Sequence, residues 1–166
     1  MTSKAAFTAD EWNQVLGGVF MAGFAVTAAD PSGLWGLLKE TFASGRALMD
    51  AKNNASASEL SQAIVSDMET SEGRSAAQDH VKGRLQGAKR EEIKQRAIDA
   101  LRAAAAIVDQ KAASDAAAYK AWLLQIANNV AEASKEGGFL GFGGVDVSDA
   151  EKATLTEIAA ALGTRA

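Results

Sequence analysis

The chain has no cysteine, one proline and a single histidine among 166 residues. The first absence removes disulfide frameworks, thiolate zinc sites, iron–sulfur clusters and cysteine nucleophiles together, and it fits a reducing compartment. Scarce proline and the lack of alternating β-branched runs, in an alanine-rich chain, point to helix rather than sheet. The length suits one domain over 1–166 that buries a core without disulfides or metals. The expected fold class is therefore all-α, a compact single-domain bundle of about seven helices, orthogonal or bundle-like.

Long apolar runs are also scarce. Val15 to Ala29 carries no charge for 15 residues, which is about 22 Å of helix against a hydrocarbon layer of roughly 30 Å. A membrane span is not expected, and a buried helical hairpin is. Near the start, Asp10 and Glu11 precede any hydrophobic run, so a secretory leader is not expected either and the localisation reads as cytoplasmic.

Net charge is −4, which disfavours nucleic-acid binding by the chain as a whole, because affinity for phosphate comes from lysine and arginine. The charge is unevenly placed. Lys82 to Arg102 holds seven basic and three acidic residues, a balance of +4, and leaves −8 for the remainder. Within that window Glu92 precedes Arg96 by four residues, the spacing of a salt-bridged exposed helix face, and no aromatic is interleaved to stack on bases.

What is present is helix punctuation. Thr8-Ala9-Asp10-Glu11 reads as a capping box, with Phe7 and Trp12 as its hydrophobic staple, and Trp12, Val15, Leu16, Val19, Phe20 and Gly23 follow as one apolar stripe. Asp30-Pro31 stops that helix and starts another, expected over about 31–50, with Leu34, Trp35, Leu37, Leu38, Phe42 and Leu48 on its apolar side. Ser56 to Glu59 reads as a second capping box before Leu60, Ile64 and Met68. A short, weak helix is expected between Thr70 and Gly87, and a stronger one over Lys89 to Gln110. The next is capped by Ser114-Asp115 and runs to about Lys135, and Ser148 to Glu151 is a further box opening a last helix that Gly163 ends.

Between the last two helices lies Gly137-Gly138-Phe139-Leu140-Gly141-Phe142-Gly143-Gly144-Val145, five glycines and four large apolar side chains without a charge. Its spacing matches neither a dinucleotide fingerprint nor a P-loop. Phe139, Leu140, Phe142 and Val145 then have two destinations, the chain's own core or a partner surface. Aromatic residues in an exposed apolar patch are what a binding hot spot needs.

Two sets of polar residues carry alternative readings. Asp30, Asp146, Asp149 and Glu151 are oxygen donors that suit calcium or magnesium, although capping and the helix dipole account for Asp149 and Glu151 without a metal. His80 stands in the weakest helix, with Ala76, Ala77 and Arg84 one turn away, and reads as a surface histidine rather than a catalytic one.

Residues 141–151, Gly-Phe-Gly-Gly-Val-Asp-Val-Ser-Asp-Ala-Glu, followed by Leu155, Ile158 and Leu162-Gly163, resemble segments of the tellurite-resistance TerB-like family of helical bacterial proteins. Val147, Ser148 and Glu151 fit that pattern, whereas Gly144-Val145 and Ala29-Asp30-Pro31 stand where the family carries Asp-Gly and Ala-Asp-Gly. The resemblance implies a stress-related role and, through its acidic residues, a divalent-cation site. Residues 25–39 resemble a broader, uncharacterised group of all-helical bacterial proteins. The leading expectation is a non-enzymatic interaction protein, without a cofactor, that docks a protein partner or a second copy through the glycine-rich loop. A Ca/Mg-binding module and an enzyme of unknown class are the alternatives.

Overall fold

The computed structural model describes residues 4–29, 58–136 and 147–164, and among these all regular structure is helical. A 3₁₀ turn at Lys4–Ala6 leads into α1 (Ala9–Ala29), followed by α2 (Glu59–Glu69), α3 (Ser71–Leu85), α4 (Arg90–Lys111), α5 (Ala113–Glu136) and α6 (Asp149–Leu162). The six form a compact bundle. The helix expected over 31–50 lies outside the described residues, as does Gly137.

The bundle is arranged around α1. The sequence predicts an apolar stripe on this helix, but the buried residues go round its whole circumference: Trp12, Val15, Leu16, Gly17, Gly18, Val19, Met21, Ala22, Gly23, Ala25, Val26 and Thr27. A helix apolar on all sides is a core helix, and α1 accordingly meets all five other helices, α4 most extensively. The other elements each bury one face. Leu60, Ile64 and Met68 of α2, Leu101, Ala104 and Val108 of α4, Tyr119, Trp122, Leu123 and Ala127 of α5, and Ile158 and Leu162 of α6 join one continuous hydrophobic core.

Two adjacent glycines allow α1 to be approached this closely. A Cβ on Gly18 would lie 2.5 Å from the Tyr119 hydroxyl of α5, and one on Gly17 would lie 2.7 Å from Cδ2 of His80 on α3. Glycine in a helix interior costs roughly 1 kcal/mol relative to alanine. Here that cost is offset by packing no side chain would permit. Tyr119 is fully buried, and its hydroxyl donates to the Val15 carbonyl at 2.9 Å. Burial pushes this phenol well above its usual range, so it remains the donor.

The expected caps form at both ends of the described chain. Thr8 Oγ1 accepts from the Glu11 amide at 3.2 Å while the Glu11 carboxylate accepts from the Thr8 amide at 2.8 Å, and the Phe7 and Trp12 rings pack with centroids 5.4 Å apart. The indole of Trp12 donates to Asp67 at 2.7 Å, and Lys4 donates to both oxygens of the same carboxylate. The N-terminal turn, α1 and α2 are thereby tied at one point. The Ser148–Glu151 box also forms. At the other end of α6, Gly163 takes the left-handed conformation at φ 70°, with Thr164 donating back to Ala159 at 2.9 Å.

Three expectations are corrected. For α2, Ser58 rather than Ser56 is the N-cap, and its hydroxyl accepts from the Ser61 amide at 3.1 Å; Ser56 itself lies outside the described residues. Ser58 lies in extended conformation directly before the apolar run, with the Ser61 hydroxyl 2.9 Å away. The weak helix at 70–87 is a full 15 residues. Its Gly73 is no breaker: a Cβ there would run into the Asp67 carbonyl, so glycine lets α2 and α3 meet at a tight corner. Finally, Ser114-Asp115 does not cap α5, which begins at Ala113 after a single non-helical residue, Ala112. Ala112 is buried and bonds back to Val108 at 2.8 Å, so the chain turns on one small residue.

Candidate functional site

The one histidine sits at the seam between α1 and α3. Asp10, Gln14 and Gly17 are spaced four and three residues apart on one face of α1, and His80 and Arg84 are spaced four apart on α3, so each set lines up along its helix. The two rows meet. Arg84 Nη2 donates to Gln14 Oε1 at 3.3 Å, Gln14 Nε2 donates to Asp10 Oδ2 at 3.2 Å, and the imidazole edge rests on the backbone at Gly17.

His80 is half-buried rather than on the open surface expected for it. Burial lowers its basicity first, the Arg84 guanidinium lowers it further, and the Asp10 carboxylate works in the opposite direction. The ring is therefore mostly neutral at pH 7, with a cation beside it. The sequence places Ala76, Ala77 and Arg84 near His80 but misses α1 altogether. The Gly17-Gly18 pair inside an otherwise apolar helix was the available signal: it marks where two other helices press in.

Phe139, Leu140, Phe142 and Val145 lie outside the described residues, as do Asp30 and Asp146. Tyr119, Leu123, Ala127 and Ala131 bury α5 on the approach, and α6 departs from a closed capping box. Of the two described acidic candidates, Asp149 is fully exposed with Lys152 at 3.8 Å. Glu151 is buried, and its Oε2 accepts from both the amide and the hydroxyl of Ser148. This carboxylate closes the helix start. Among the described residues no three His, Asp or Glu side chains converge as a metal site would need.

The basic window is likewise built into the fold. Arg96 donates to the Arg84 and Gln86 carbonyls at 3.4 and 3.2 Å, covering acceptors left open at the end of α3, and reaches Glu92 at 4.0 Å. Lys94 pairs with Glu157 of α6 at 2.9 Å, and Arg102 pairs with Asp99 at 2.7 Å. The Glu92–Arg96 and Asp99–Arg102 pairs lie along α4 itself, as the spacing predicts, while Lys94 and the Arg96 bonds to α3 carbonyls join α4 to its neighbours. No described helix is long and apolar enough to cross a membrane. No family model, no curated protein and no solved structure matches the chain.

Proposed function

We propose that this chain is a non-enzymatic helical interaction protein that docks a protein partner, or a second copy of itself, through the loop at 137–147. Phe139, Leu140, Phe142 and Val145 supply the contact. The resemblance of 141–151 to TerB-like segments points to a stress-related setting, and the lack of cysteine suits the cytoplasm. The observation that carries the reading is the contrast between the loop and its flanks. A glycine- and phenylalanine-rich stretch, uncharged over 137–145, lies between two helices that are each fixed by their own means, α5 by its buried aromatic face and α6 by its cap and the Lys94–Glu157 pair. Recognition residues carried on a loop between rigid elements are held where a partner can reach them.

The charged side chains of the described helices give the reading further support. Glu11, Asp67, Glu92, Lys94, Arg96 and Glu151 each serve a cap or a helix-to-helix tie. The test is the double substitution Phe139→Ser/Phe142→Ser. Partner capture, or self-association measured by sedimentation, is expected to disappear while the melting temperature stays within about 2 °C of the parent. A loss of several kcal/mol, the magnitude of emptying a core aromatic site, would place both rings in the interior and end the proposal.

A further inference from the structure

The α1–α3 seam combines a titrating ring, a neighbouring cation and, among the described helices, a 15-residue one with few buried residues. We propose that this seam is an acid-sensitive latch, in which protonation of His80 loosens α3 from the central helix while α4 and α5 stay packed. The geometry supplies the latch. His80 reaches α1 at the one point where Gly17 leaves no side chain between ring and backbone, so the ring forms part of the α3 contact itself.

The charges around it come from identifiable places. Asp10 on α1 favours the protonated ring, and Arg84 on α3 opposes it. The Arg84 guanidinium is directed along the seam by Gln14 of α1, which accepts from it at 3.3 Å, while Arg96 of α4 donates to the Arg84 backbone carbonyl. Asp67 of α2 lies at the opposite end of α3, against Gly73. An imidazolium formed here loses hydration and faces the Arg84 guanidinium.

The sign follows from proton linkage. Burial and Arg84 put the ring's affinity for protons below that of an ordinary imidazole, for which the midpoint is 6.5. The open state therefore binds the proton better, so the seam is intact above 6.5 and weakens as pH falls. Local opening is drawn from elements with few buried contacts. The buried residues of α3 are Gly73, Ala77 and Val81, against twelve in α1.

Hydrogen exchange on the full chain at pH 7.5 and 5.0, corrected for intrinsic rates, tests this in the parent and in His80→Gln. Both conditions lie above 4.5, and the pKa of the Glu11 carboxylate is held lower still by its Thr8 cap, so that group stays ionised throughout. The amides of α3 in the parent are expected to lose protection at pH 5.0 while those of α4 keep theirs, and His80→Gln is expected to remove the loss. A ring titration by NMR on the parent, needing no variant, is expected to give a midpoint below 6.5. Unchanged α3 protection, an equal loss in His80→Gln or in α4, or a midpoint at or above 6.5 would each overturn the latch.

Discussion

Gly17 and Gly18 illustrate how one missing atom decides an architecture. On propensity alone, alanine at either position would stabilise α1. At Gly18 the added Cβ meets the Tyr119 hydroxyl, which is buried and bonded to Val15. Gly18→Ala is therefore expected to destabilise the fold by about 2 kcal/mol, the usual scale of overpacking. Tyr119→Phe alone, which removes the hydroxyl, is expected to cost about 1 kcal/mol. The two should not add: in the double variant the clashing atom is gone, so a denaturation cycle is expected to show a favourable coupling between them. Strict additivity would mean that the glycine is not there for the tyrosine. At Gly17 the obstructing atom belongs to a half-buried ring that can rotate, so Gly17→Ala is expected to be the milder substitution.

Among helices, what was legible depended on the range of the interaction. The Thr8–Glu11 and Ser148–Glu151 boxes and the Gly163 stop close within a few residues, and the sequence shows all of them. The inward rows of α2, α4 and α5 follow from helical period alone. Spacing alone does not single out Ser58 as the N-cap of α2; its extended conformation and its bond from the Ser61 amide do. The length of α3 was illegible because Gly73 reads as a breaker until α2 is placed against it. Ser148→Ala tests the α6 start directly: it removes the hydroxyl that accepts from the Glu151 amide, with an expected cost of about 1 kcal/mol. A change near zero would show that Glu151, which also accepts from the Ser148 amide, closes the helix start without it.

At the scale of the whole molecule, the organising fact is a central helix that touches every other described one. An apolar, glycine-containing stretch too short for a membrane is what such a helix requires, and the buried hairpin expected from 15–38 had that much right for α1. The seam holding His80 was not readable, because it joins residues more than 60 positions apart and no local period encodes that pairing. Nor does pattern alone decide where the Phe139–Val145 apolar side chains go, since glycine-rich segments satisfy no helical or strand template. The molecule thus divides its polar chemistry from its apolar surplus. Several charges on the described helices close caps or tie elements together, and the glycine- and phenylalanine-rich loop is what the proposed function assigns to recognition.

The measurement closest to that claim is photo-crosslinking in cells with a photoreactive aromatic residue in place of Phe142. The account predicts a product of higher mass in which position 142 is joined to another polypeptide, a partner or a second copy. Crosslinks found solely to residues of the same chain's core, such as those of α5 or α6, would contradict it.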